Sequence, residues 1–154
     1  MSELTLNKPA PKFTLETEKG EINNHSFEGK FLVLYFYPKD DTPGCTIEAQ
    51  EFSADLKEFK KLGAEILGVS KDSIESHQKF CKKYSLDITL ASDAEGKTIE
   101  SYGSWVEKNM YGKKYMGIQR DTFLIDKKGI LKHIWRKVKP EGHSKEVLEA
   151  IKKL

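Results

Sequence analysis

One stretch limits the folds open to this chain more than any other: Phe31-Leu32-Val33-Leu34-Tyr35-Phe36-Tyr37, stopped by Pro38 and followed by Lys39-Asp40-Asp41-Thr42-Pro43-Gly44-Cys45. The first seven residues are β-branched, aliphatic or aromatic without a polar break, which predicts a strand covered on both faces. Pro38 ends that strand. Pro43 suits the first position of a helix, where its missing N–H costs nothing. Thr42 then becomes the N-cap and Cys45 falls in the first turn, among unpaired backbone N–H groups at the positive end of the dipole, where a thiolate is stabilised. Cys45, Ala49, Phe52, Leu56 and Phe59 recur at helical spacing, so the thiol shares the face that packs inward. Two readings of Cys45 stand side by side here: a nucleophile on a rigid platform, or a buried thiol acting as a small hydrophobe.

The rest of the chain falls into short segments around that unit. Pro9 and Pro11 make the lead-in extended. Phe13–Glu16 and Glu21–Asn23 flank Lys19-Gly20 and predict an N-terminal hairpin. The helix from Pro43 should run to about Leu62 and stop at Gly63. Glu65–Ser70 predicts a second buried strand, and Ser73 caps a helix over Ile74–Tyr84. Asp87–Ser92 predicts a weak strand, after which Asp93 caps a short helix through Tyr102. Trp105–Met116 reads as a polar loop with three aromatics, either a surface loop or a substrate lid. Gln119–Asp126 and Ile130–Arg136 predict two strands around Lys127-Lys128-Gly129. A last helix turns Val147, Leu148, Ile151 and Leu154 inward. This order predicts an α/β fold in one domain over residues 1–154, a mixed central β-sheet with helices on both faces.

Composition removes several function classes. The 154 residues are 38% hydrophobic and 32% charged, with a net charge of +2. That charge is small and its lysines are scattered, which argues against nucleic acid as a partner. No apolar run approaches a membrane span, and Met1-Ser2-Glu3-Leu4 does not begin a secretory signal, so the cytoplasm is the expected compartment. Two cysteines without C-x-x-C spacing give no zinc site or disulfide framework, and no metal or cofactor is expected. Only two of the 26 basic residues, Arg120 and Arg136, are arginine. Where lysine is the default, an arginine is a choice for its fork of donors. His25 has no acid–base partner near it in sequence. Asp40 and Asp41 carry charge that opposes a thiolate and are expected to point to solvent.

The spacing Pro38-x-x-x-Thr42-x-x-Cys45 resembles the active-site signature of the peroxiredoxins. The unbroken run Phe36–Thr46 is similar to the bacterioferritin comigratory protein, or peroxiredoxin Q, branch, and the likeness extends to Arg120-Asp121-Thr122-Phe123-Leu124-Ile125-Asp126. The resemblance implies a thioredoxin-like fold and a thiol-dependent peroxidase acting on hydrogen peroxide and organic hydroperoxides. It implies that Cys45 is oxidised to a sulfenic acid, that Thr42 orients the peroxide, that Pro38 shields the thiolate, and that Arg120 is the active-site arginine with Glu48 fixing it. From position alone Arg120 reads equally as a surface ion pair with Asp121 or Glu48. Some members of the branch carry a second cysteine five residues after the first; Gln50 stands there in this chain. Cys81 lies where other members carry their resolving cysteine, which implies an intramolecular Cys45–Cys81 disulfide recycled by thioredoxin, in a monomer. A buried, inert Cys81 is the competing reading, with a one-cysteine mechanism as its consequence. Two further classes compete: a dithiol oxidoreductase, opposed by Thr42 where C-x-x-C would need a cysteine, and a non-catalytic thioredoxin-fold binding or chaperone module.

Overall fold

A computed structural model describes residues 4–154. The start of the chain read for a leader, Met1-Ser2-Glu3, lies outside the described residues. β3 (Phe31–Phe36) is an interior strand of the sheet. It pairs in parallel with β4 (Ala64–Ser70) and antiparallel with β8 (Asp121–Ile125). Beyond β4 come β5 (Thr89–Ser92), β1 (Thr14–Thr17) and β2 (Gly20–Asn23), and beyond β8 comes β9 (Leu131–Trp135). The order β2-β1-β5-β4-β3-β8-β9 makes one mixed seven-stranded sheet.

Because β3 alternates, its two side-chain sets enter two different cores. Val33, Tyr35 and Tyr37 face α1 (Pro43–Lys61), α2 (Ile74–Tyr84) and α4 (His143–Lys152). Leu32, Leu34 and Phe36 face the N-terminal segment and α3 (Lys97–Ser101). On the second face Phe123 meets Phe36 and Tyr102 edge to face, the Tyr102 and Phe123 centroids 5.0 Å apart, and Phe36 and Tyr102 pack tilted to one another. The expected thioredoxin-like α/β arrangement, with helices on both faces and an N-terminal hairpin, is what the chain adopts.

The Cys45 stripe of α1 behaves as its spacing requires: Cys45, Ala49, Phe52, Leu56 and Phe59 are all buried. Fully burying one such large apolar side chain stabilises by roughly 1.5–3 kcal/mol, so the stripe alone fixes how α1 lies on the sheet. Gly63 ends the helix with φ +77°, a conformation that favours a residue without Cβ.

Several expectations are corrected. Trp105–Met116 is not a loop: β6 (Trp105–Met110) and β7 (Lys113–Ile118) form a separate antiparallel hairpin. Its outer residues are exposed on both faces, so no period-2 pattern marked them. The strand expected from Gln119 begins at Asp121, leaving Arg120 in the connection before it. Leu154 lies past α4 and is exposed. Gly96, not Asp93, occupies the N-cap of α3; the Asp93 carboxylate instead accepts from Ile99 N–H at 2.8 Å. The exposed His25 does have a local partner, Glu28, at 2.6 Å.

Candidate active site

Cys45 is the third residue of α1, behind Pro43 and Gly44, and is 2% exposed. The helix is held at this end by the apolar stripe beneath it, while β3 delivers the preceding loop from the middle of the sheet. Strand β8 supplies the other half. Just before it, the Arg120 carbonyl accepts from Val138 N–H at 2.8 Å and Gln119 N–H donates to Ser104 O at 2.7 Å. This bracing points the side chain back to α1. Arg120 Nη2 donates to Cys45 Sγ at 3.4 Å, and Nη1 donates to Glu48 Oε1 at 2.9 Å. One guanidinium thus spans the thiol and a carboxyl one helical turn later, the forked use expected of a scarce arginine. Of the surface-pair reading of Arg120, the Glu48 partner holds but the surface does not, because the Arg120 side chain is only 16% exposed and Glu48 only 1%.

Gly44 makes the approach possible. A Cβ there would stand 3.0 Å from Arg120 Nη2 and 3.4 Å from Pro140 Cγ. Beneath the pair lies Tyr35, stacked on Phe52 at 4.8 Å. Burial, helped by the nearby charge of Glu48 and both thiols, holds its phenol well above the ordinary range. The Tyr35 hydroxyl and Glu48 Oε2 are both buried and without a partner among the described residues. Burial also pushes the Glu48 carboxyl up to about 7, against the pull of Arg120. Lys108 on β6 is held below its usual range, first by burial and then by Arg120, so the hairpin comes close to the same cluster.

Thr42 occupies the N-cap by its backbone, but its side chain makes no capping bond. Its hydroxyl donates instead to Lys39 O at 2.8 Å, which leaves oxygen lone pairs free. Pro38 is half-buried in the loop after β3.

The solvent orientation expected for both aspartates holds for one of them. Asp41, at φ 58°, is exposed and pairs with Lys83 and Tyr84 of α2. Asp40 turns inward and is 7% exposed. It accepts from Tyr37 Oη at 2.5 Å, from Ser76 Oγ at 2.8 Å and from His77 Nδ1 at 2.8 Å. Burial alone would raise this carboxyl, but the donors from His77 and Tyr37 outweigh it and hold it below its usual value. His77 Nε2 faces the Ala91 carbonyl at 2.9 Å. His77 was not singled out in the sequence, and its only signal there was helical spacing of four residues from Cys81.

Cys81 sits half-buried on α2 and, like Cys45, is free. Burial first, then the charges of Asp40 and Glu18, push its thiol up to about 11. It borders a surface cavity of about 570 Å³ together with His77, Lys82 and Leu90. Among the described residues no cluster of His, Cys, Asp and Glu could hold a metal ion, and no helix is long and apolar enough to cross a membrane.

Comparison with known proteins extends the likeness to nearly the whole chain. Residues 6–134 match the AhpC/TSA family. The peroxiredoxin Bcp of Bacillus subtilis is 46% identical over 150 residues, covering 97% of this chain and 96% of that protein. Peroxiredoxin Q of Xanthomonas campestris superposes with a TM-score of 0.90 at 43% identity, covering 99% of both chains. A bacterioferritin comigratory protein of the same organism, described with alkyl peroxide reduction activity, is 44% identical with a TM-score of 0.87 over 92% of this chain and 90% of that one.

Proposed function

This chain belongs to the AhpC/TSA family, and from that premise we propose that it is a thiol peroxidase whose oxidisable atom is Cys45 Sγ. The observation that carries the residue assignment is the single guanidinium of Arg120 reaching both Cys45 Sγ and Glu48. A peroxide needs a thiolate in line with its O–O bond and donors where negative charge appears as that bond breaks. The Cys45 thiolate attacks the terminal oxygen, the S–O bond forms, the O–O bond breaks, and the departing oxygen takes a proton. Arg120 is the donor that reaches the sulfur, the helix-start N–H groups lie at the same end of α1, and the Thr42 hydroxyl, donating to Lys39 O, offers its lone pairs to a peroxide O–H. Pro38 shields the thiolate. Hydrogen peroxide and organic hydroperoxides are the substrates, the latter in line with the alkyl peroxide activity of the Xanthomonas relative.

The product, a Cys45 sulfenic acid, is resolved by Cys81 with loss of water. Cys81 is inert while it lies against Asp40 and the core, so resolution requires the first turn of α1 to open and carry Cys45 towards α2. A glycine in that turn, Gly44, lowers the cost of opening. The disulfide is then reduced by a dithiol protein of thioredoxin type, in a monomer working in the reducing cytoplasm, where unpaired thiols persist. The raised thiol of Cys81 supports a second reading, a one-cysteine enzyme in which an external thiol reduces the sulfenic acid directly. Non-reducing peptide mapping after one equivalent of peroxide decides between them. An intramolecular Cys45–Cys81 linkage is expected. A persistent Cys45 sulfenic acid, or a linkage between two chains, replaces the resolving assignment with a one-cysteine or intermolecular scheme.

A further inference from the structure

Glu48 is built at a cost that holding Arg120 does not explain. Its side chain is 1% exposed, yet only Oε1 has a partner; Oε2 accepts from no donor among the described residues. A buried carboxylate left half-satisfied is destabilising, and a two-pronged ion pair would have held the arginine better. Charge balance supplies the reason. One guanidinium touches two groups that can each be an anion. A thiolate beside a carboxylate would seal an excess negative charge into a dry site, whereas a thiolate beside a carboxylic acid leaves the cluster neutral.

We propose that Glu48 stores the proton that the leaving oxygen takes when Cys45 opens the peroxide bond. The inference rests on the peroxidase reading above. Sulfur gains the terminal OH as Cys45–SOH, and the O–O electron pair departs on the other oxygen. Glu48 Oε2 releases its proton to that oxygen, giving water or an alcohol. Glu48 is left as a carboxylate on Arg120 Nη1. Negative charge has moved from one side of the guanidinium to the other, and the cluster is neutral before and after. The titratable and charged neighbours agree with this count. Cys45 and Glu51 on α1 and Tyr35 on β3 add no cation, and Arg120 is the only positive group bonded to Glu48 among the described residues. Lys108 on β6 and His143 on α4 sense the guanidinium and are both held below their usual values, each first by burial. The position of Glu48 near 7 places its proton within reach of neutral solution.

Two measurements test this. In wild type, kcat/KM for peroxide should fall as pH rises through about 7. Glu48→Gln, which keeps an acceptor for Arg120 but has no proton to give, should be slower at pH about 6 by on the order of 100-fold and should lose the alkaline fall. A Glu48→Gln enzyme that keeps that fall overturns the proposal. The second measurement does not depend on that variant folding. Cys81→Ser protein carrying carbon-13 glutamate is oxidised with one equivalent of hydrogen peroxide and followed by infrared difference spectroscopy, with mass spectrometry for the sulfenic acid. Loss of a protonated glutamate carbonyl band with gain of a carboxylate supports the proposal. Sulfenic acid formation without that change overturns it while leaving the peroxidase standing, and a failure to form sulfenic acid removes the peroxidase reading itself.

Discussion

Arg120 and Asp121 are neighbours in sequence, and each makes an ion pair, but the two pairs are built to opposite standards. Asp121 is fully buried and every oxygen is used: Oδ2 accepts from Ser104 and from Arg136 Nη1 at 2.8 Å, and Oδ1 accepts from Gln119 and from Lys137 N–H. Arg136 also donates to the Tyr102 carbonyl, so it ties the end of α3 to the sheet. This pair is closed. The Arg120–Glu48 pair is open, with one guanidinium arm on a thiol and one carboxyl oxygen unmatched. Saturated polar networks rigidify a fold, and incomplete ones persist where chemistry will complete them. Arg136 braces the strand end from which Arg120 reaches out, so the closed pair sets the position of the open one.

The sharpest way to break the contrast is to remove the thiol from the open pair. Cys45→Ser should abolish peroxide turnover with the circular dichroism spectrum unchanged, and residual turnover above a tenth of wild type would end the assignment. Next, Arg120→Met should cost on the order of 100-fold in kcat/KM, and Arg120→Lys should recover little because an ammonium cannot fork. Arg120→Met at the wild-type rate would make the guanidinium irrelevant. Arg136→Met should do the reverse. With its side chain 37% exposed, it should lose about 2 kcal/mol of stability in urea melts, with a smaller loss of turnover than Arg120→Met, since the guanidinium of Arg120 is kept and only its support is loosened.

A titration sharpens the same contrast. The folded chain holds the Glu48 carboxyl near 7, above its reference value of 4.5, so folding binds this proton more tightly. The stabilisation is complete below pH 4.5 and is lost as pH rises through 7. Subtracting Glu48→Gln melts from wild-type melts across that window should reveal the slope, and parallel curves would refute it. The smallest effect expected is Gly44→Ala. The new methyl presses on Arg120 Nη2, so turnover should fall by roughly 10-fold while the melting midpoint changes little. An unchanged rate would show that the guanidinium has room elsewhere.

How much of this was legible in the sequence depends on how local each signal was. Pro43 and the stripe from Cys45 to Phe59 act within one helix, and they placed the thiol correctly. The mixed sheet with helices on both faces followed from strands whose composition announced them, whereas the strand order came only with the fold. Asp40 was misread because its partner, His77, lies 37 residues away on another helix. Nothing near Asp40 distinguishes it from the exposed Asp41. The closed pair was missed for the same reason, since Asp121 was weighed as a partner for Arg120 rather than for Arg136. The β6–β7 hairpin escaped because it is wet on both sides. Glu48 was named as a partner of Arg120 both from position and through resemblance, but its unmatched oxygen is a property of the folded site alone.

The paired aspartates of the loop before α1 have a consequence in time. Asp40 and Asp41 face opposite ways, one inward to His77 and one outward to Lys83, and both fasten on α2, the helix that carries Cys81. If Cys81 resolves Cys45 as proposed, the loop leading into the oxidised thiol is latched at two points to the element that the thiol must reach. An exposed pair such as Asp41–Lys83 releases readily, whereas the buried Asp40–His77 contact must give up its donors before the loop can travel. The lifetime of a Cys45 sulfenic acid is then a race between unlatching and the arrival of a second peroxide, which would carry the sulfur on to sulfinic acid. A tighter latch makes a longer-lived signal and a more fragile enzyme.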